Sequence, residues 1–207
     1  MLPYHDYEVD NMRNELMLEG TVLTKAEWSH DHQEKRFFRC YLEVPRLSGE
    51  ADILPLLLPE EKLPLVPEGR CVRIRGQLRS FNNRTGVGNK LVLTVFPAEI
   101  SPGEGEPCNR ILLSGSICKP PIFRRTPLGR SICDLMLAVP RRYGRADYLP
   151  AIAWGQLAVY TGDLHVGDPL TIDGRVQSRV YHKATDSGVE ERVAYEVSVM
   201  HLLEEEA

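Results

Sequence analysis

The chain repeats itself. Residues 51–59, ADILPLLLP, recur 95 positions later as ADYLPAIAW at 146–154, and a repeat of this length limits the fold more than any local motif does. The same offset of 95 matches Asn14 with Asn109, Gly20 with Gly115, and Val44-Pro45-Arg46 with Val139-Pro140-Arg141. Further on the offset grows to 98, pairing Gly69 with Gly167 and GQLRS from Gly76 with GRVQS from Gly174. At the end it is 102, laying KLVLTVFPAEI from Lys90 against RVAYEVSVMHL from Arg192. One colinear match with two growing insertions is what loops produce. The expectation is two copies of one fold, at residues 13–101 and 108–203, joined by the short polar linker PGEGEP at 102–107 that holds them side by side.

A chain of 207 residues suits two such domains. A hydrophobic fraction of 43% with 26% charged residues is that of a globular protein. No apolar run is long enough to span a membrane, and the opening MLPYHDYEVD has neither the basic start nor the apolar core of a secretory signal, so a cytoplasmic location is expected. The five cysteines are odd in number and lack C-x-x-C spacing, which speaks against a disulfide framework or a zinc site. His30-Asp31-His32 reads as a solvated loop rather than a metal site. No cofactor is expected. The net charge of -4 is uneven along the chain. Residues 14–100 hold 12 basic and 12 acidic side chains, and residues 109–202 hold 12 and 9. The remaining segments hold one Arg and eight acids, so a mildly basic second copy is hidden in an acidic whole.

Each copy reads as short strands separated by turn residues. In the second copy these are residues 110–118, 131–139, 148–154, 170–181 and 193–202. Residues 119–129, with three prolines and a glycine, form a loop or edge hairpin, and 156–164 is the one candidate helix. In the first copy they are 16–23, 37–44, 52–58, 70–81 and 91–100, with Pro64 and Pro67 limiting any helix at 59–66 to a single turn. Five strands with a short helix between the third and fourth is the order of the OB-fold, a partly open Greek-key barrel. The expected fold is therefore all-β, two tandem OB-fold barrels. Gly76 and Gly174 fall where a barrel strand must bend.

Three pieces of the second copy carry a resemblance. They are NRILLSGSICKPPIFRRTPLGRSICDLMLAV from Asn109, DYLPAIAWGQLAVY from Asp147, and VGDPLTIDGRVQSRVY from Val166. In this order and spacing they resemble the OB domain of the bacterial single-stranded DNA-binding proteins, over nearly all of residues 109–202. The resemblance implies non-catalytic, sequence-tolerant binding of single strands in replication, recombination or repair, by bases stacking on aromatic rings over a basic surface. Its four stacking positions fall on Tyr143, Tyr148, Trp154 and Tyr181. Around them Arg124, Arg125, Arg130, Arg141, Arg142, Arg145, Arg175, Arg179 and Lys183 are expected to neutralise phosphates. Strand alternation supports part of this. Tyr148 and Trp154 are six residues apart and share a face, while Leu149, Ala151 and Ala153 make the opposite, small and apolar face that suits a core. The family's common use of four OB domains implies a homodimer of a two-barrel chain.

In the first copy the four positions hold Ser48, Ile53, Pro59 and Asn83, none of them aromatic. Phe81 is the one aromatic close to a stacking position. The first copy is therefore expected to be mainly structural, supplying a dimerisation or tetramer-like surface, with Arg70, Arg73, Arg75, Arg79 and Arg84 either on a solvated or inter-domain face or making weak backbone contacts at most. The family's flexible tail with its acidic tip has no counterpart in HLLEEEA, so recruitment of partners by that route is not expected. No phosphate loop, nucleophile elbow or dinucleotide fingerprint is present, and neither an enzyme nor a small-molecule substrate is expected. The alternative is a tandem-OB adaptor in a replication or mobile-element complex, binding protein through its first copy and little DNA.

Overall fold

A computed structural model describes residues 13–83, 89–141, 144–185 and 188–203. The first repeat forms β1 (Asn14–Val22), β2 (Glu27–His32), β3 (Lys35–Pro45), β4 (Ala51–Pro59), one 3-10 segment (Glu60–Leu65), β5 (Cys71–Asn82) and β6 (Leu91–Pro102). The second forms β7 (Cys108–Ile117), β8 (Ile122–Arg125), β9 (Ser131–Pro140), β10 (Ala146–Trp154), α1 (Gln156–Gly162), β11 (Pro169–Thr185) and β12 (Gly188–Leu203). Both follow the OB-fold order, with a helical turn between the third and fourth barrel strands. In the first repeat Pro64 sits inside that turn, which stays 3-10 and six residues long.

Each repeat closes on itself. Strand order runs β2-β3-β4-β6-β5-β1 in the first and β7-β11-β12-β10-β9-β8 in the second, with β1–β3 and β7–β9 pairings completing the two barrels. The seam is parallel in both, Leu56 opposite Val95 and Ala151 opposite Val197. Closure brings backbones so near that a side chain does not fit. A Cβ on Gly20 would lie 2.2 Å from the Glu43 carbonyl oxygen, and one on its repeat partner Gly115 would lie 2.6 Å from that of Ala138. Gly76 and Gly174 meet the same limit, 2.4 and 2.5 Å from the carbonyls of Phe96 and Ser198. Both stand at β-bulges, where the long fourth strand bends as expected. Alternating residues fill the interiors: Leu16, Leu18, Ile74, Leu78, Leu54 and Leu56 in the first, Ile111, Leu113, Ile172, Val176, Leu149 and Leu137 in the second.

The barrels join through β1 and β7, which pair antiparallel from Asn14–Leu113 to Glu19–Cys108. Leu16 lies opposite Ile111, its own repeat partner at offset 95, so an approximate two-fold axis passes through this pair. The repeat partners therefore make the same bonds twice. Asn14 reads the backbone of Leu78 with both amide atoms, at 2.7 and 3.0 Å, and Asn109 reads that of Val176 at 2.7 and 2.9 Å. The linker is clamped as well. Glu19, fully buried, accepts the backbone N–H groups of Glu104, Gly105 and Glu106 at 2.6 to 3.1 Å and an Arg73 N–H at 2.7 Å. Burial alone raises this carboxyl, but the Arg73 bond and the three amides outweigh it and hold its pKa below the ordinary glutamate value.

Two expectations are corrected, and of the two readings of residues 119–129 the edge hairpin is the one found. His30, Asp31 and His32 lie on strand β2 rather than in a loop, because Gln33 and Glu34 both adopt positive φ and close a tight hairpin into β3. Those two residue types do not announce such a turn. Residues 122–125 are the edge strand β8. The helix ends at Gly162, two residues short of the expected limit, and β11 and β12 run on into a long hairpin.

Candidate nucleic-acid interface

The outward face of β10 carries the exposed rings. Tyr148 and Trp154 are 48% and 40% exposed, while Leu149, Ala151 and Ala153 on the opposite face are buried. Alternation along one strand makes this division: the apolar set fills the barrel and the two rings must point out. Trp154 borders an open cleft of about 490 Å³ with Gly129, Arg130, Ser131, Gly155, Gln156 and Val159. Gly155 permits it, turning the chain from β10 into α1 at φ 59°.

The cationic residues separate into three groups. Arg125, Arg130, Arg145 and Lys183 are exposed and make no ion pair among the described residues, so their charge is open to an anion. Arg124 is held by both oxygens of Asp134 at 2.7 and 3.2 Å, and Arg179 lies 3.7 Å from Glu196. Arg141 and Arg175 are each held by a buried carboxylate. Arg141 grips the fully buried Asp147 through two N–H groups, its Nε at 2.5 Å, and donates to the Ser80 carbonyl at 3.3 Å. Arg175 lies 3.4 Å from the fully buried Asp52, and burial followed by the neighbouring Arg46 lowers its pKa.

These two carboxylates are the centres of a duplicated clamp. Asp52 of the first barrel binds Arg46 and accepts the Ser178 N–H at 2.8 Å from the second, and the Ser178 hydroxyl accepts the Ile53 N–H at 3.0 Å. Asp147 of the second binds Arg141 and accepts the Ser80 N–H at 2.7 Å from the first, and the Ser80 hydroxyl accepts the Tyr148 N–H at 2.8 Å. The cross-barrel arginines are exchanged in place. Arg79 reaches Asp147 at 3.0 Å with Gln77 beside it, and Arg175 reaches Asp52 with Gln177 beside it. The repeated VPR and AD motifs, visible in the sequence only as a repeat, are thus the fastening between the barrels.

Tyr181 is half-buried on β11. Its hydroxyl donates to Asn89 Oδ1 of the first barrel at 2.9 Å, and the Arg179 guanidinium lies 5.9 Å from its ring centroid. Tyr143 and Arg142, like Arg84 of the first repeat, lie outside the described residues. At the matching positions of the first barrel Pro59 is buried, Ile53 and Asn83 are partly buried, and Ser48 is exposed without a ring to offer. Three of the first barrel's rings, Trp28, Phe37 and Phe38, stand on the β2–β3 hairpin. His30 stacks on Phe37 at 5.2 Å and 11°, and Arg36 lies 5.4 Å from the centroid of Phe38. Trp28, 59% exposed, donates its indole N–H to Asp31. No cluster of three or more metal-binding side chains occurs among the described residues.

Residues 108–203 match the single-strand binding protein family. The second barrel is therefore similar to that family over its whole length. Within the family, the match to the single-stranded DNA-binding protein of Thermus aquaticus is 34% identical over 99 residues, covering 45% of this chain and 36% of that one. The single-stranded DNA-binding protein 2 of Listeria innocua is 32% identical over 80 residues, covering 35% of this chain and 50% of its relative. The matches thus span about a third to a half of these curated relatives. The crystal structure of the wild-type Thermus aquaticus protein superposes on both barrels, with a TM-score of 0.71 over 94% of this chain and 93% of that one. At 23% identity that likeness concerns the fold. The shared fold includes the first barrel, which the family match at 108–203 does not reach. No described helix is long and apolar enough to cross a membrane.

Proposed function

We propose that this chain binds single-stranded DNA without catalysis and with little sequence preference, in replication, recombination or repair. In this reading residues 108–203 are the binding domain, residues 13–101 a structural domain, and 102–107 the linker between them. The carrying observation is the pair of exposed rings, Tyr148 and Trp154, on one face of β10, with Arg130 lining the cleft beside Trp154 and, like Arg125, making no ion pair among the described residues. Bases stack on such rings at about 1–3 kcal/mol each, whatever their identity. Phosphates meet the unpaired guanidinium groups, and each contact releases counterions. Tyr181 supplies a third ring, and Arg145 and Lys183 further charge. The names and matched segments of the Thermus and Listeria relatives support the same partner. Two such chains, with four barrels between them, form the working homodimer in the cytoplasm.

The test is titration with a dT oligomer of about 35 nucleotides, long enough for several OB sites. Tryptophan fluorescence is followed at low and high salt, with Trp154→Ala in parallel. The expected result is quenching that weakens with salt and is largely lost in the variant, whose affinity falls by about 5- to 100-fold. Absence of binding at low salt would contradict the proposal and turn attention to protein partners.

A further inference from the structure

The ring of Phe81 belongs to the first barrel but stands at the second barrel's binding face. It follows Ser80 on β5, and alternation sends it out of the sheet on the side of Arg79, away from the buried Leu78 and Ser80. Ser80 is the residue that bonds the Tyr148 backbone at 2.8 Å, so Phe81 enters the surface one residue from the contact that holds Tyr148. A single guanidinium ties the two positions together. Arg141 bonds Asp147, the neighbour of Tyr148, and the carbonyl of Ser80, the neighbour of Phe81, and its Cζ lies 5.8 Å from the Phe81 ring centroid. Phe81 is nevertheless 41% exposed. A large apolar ring is left in water here with a cation held beside it by a buried carboxylate.

The repeat shows that this placement is particular to one side of the molecule. At offset 98 the partner of Phe81 is Arg179, and the partner of Tyr148 at offset 95 is Ile53. The other junction therefore joins Ile53 to Arg179, whereas this one joins Tyr148 to Phe81. Exposed rings from the two barrels are thus tied to one junction, through Ser80 and Arg141, on the side that also carries Trp154.

We infer that Phe81 is a nucleobase-stacking residue, and that a single strand laid along Trp154 and Tyr148 crosses at this seam onto the first barrel. The inference rests on the proposed single-strand binding and extends it to the barrel whose family stacking positions are bare. Arg141 on one side of Phe81 leaves the exposed part of the ring to a base, and Asp147, shared between Arg141 and Arg79, leaves one net positive charge at the crossing for the phosphate backbone. The occupant is an unpaired base, because an exposed ring with a fixed guanidinium beside it matches the flat, polarisable faces that bases offer.

The experiment places a reporter at the seam. Phe81→Trp is introduced into a chain in which Trp28 and Trp154, the two native tryptophans, are changed to Phe. Addition of a dT oligomer of about 35 nucleotides is expected to quench the reporter at low salt and to release it at high salt. In the otherwise native chain, Phe81→Ala is expected to weaken dT binding about tenfold and Phe81→Tyr to restore it, with the thermal midpoint of all three proteins unchanged. A quenched Trp154 in the native chain with a silent reporter at position 81, and Phe81→Ala binding at native strength, would overturn this inference alone. Silence at both positions would overturn it together with the proposed function. Reporter quenching by a protein extract but not by dT would overturn it in favour of a protein partner.

Discussion

The two barrels share a scaffold and differ in what they show to solvent. Where they meet, they have kept the same residues: Asn14 and Asn109, Arg46 and Arg141, Asp52 and Asp147, Ser80 and Ser178 each repeat one another's bonds across an approximate two-fold axis. Where a strand of nucleic acid is proposed to lie they have parted, Tyr148 and Trp154 standing opposite Ile53 and Pro59. One set of positions thus answers to assembly and the other to the proposed binding. A buried carboxylate shared by two arginines and a backbone amide tolerates little change, because removing any member strands a charge away from water. An outward ring on a barrel strand has no such dependants.

The comparison is most severely tested at its symmetric half. Asp147→Ala leaves Arg79, Arg141 and the Ser80 amide without their partner, and a loss of about 3–5 kcal/mol in stability is expected. Asp52→Ala, which abandons Arg46, Arg175 and the Ser178 amide, is expected to cost a similar amount. Denaturant unfolding of both variants checks the pair. A large loss in one and none in the other would show that the two clamps are not equivalent. The linker offers a smaller effect on one side only. Glu19→Gln keeps the shape but gives up the charge that Arg73 and three amides hold, at an expected cost of about 1–3 kcal/mol at neutral pH. Since the folded carboxyl titrates below its ordinary value of 4.5, its contribution is complete above that value and disappears as pH falls through the lower folded pKa. The native chain should therefore lose stability through that acid window more steeply than the variant. Parallel stability curves would mean that the Glu19 charge contributes nothing.

Much of this architecture was legible in the chain. The repeat, the strand alternation and Gly76 and Gly174 all follow from steric rules that act within a few residues, and the outward position of Tyr148 and Trp154 follows from the small apolar set between them. What could not be read was set by distant partners. The same alternation that exposes Trp154 says nothing of Arg141, whose neighbour Asp147 lies six positions away and whose second contact, Ser80, lies 61 away. An arginine near a binding motif looks like a phosphate ligand until the buried carboxylate beside it is seen. The tight β2–β3 hairpin was illegible for another reason: Gln33 and Glu34 hold positive φ without being the residues that favour it. Phe81 stood in plain view, but its meaning depends on which strand of the other barrel lies beside it.

The measurement that bears most directly on the division of labour is photochemical cross-linking of a 5-iododeoxyuridine oligomer, followed by mass mapping of the adducts. Adducts on Trp154 and Tyr148, joined by Phe81 as the sole contribution of the first barrel, are the predicted result. Adducts on Trp28, Phe37 or Phe38 of the β2–β3 hairpin, with β10 unmodified, would contradict it and make the first barrel the one that binds.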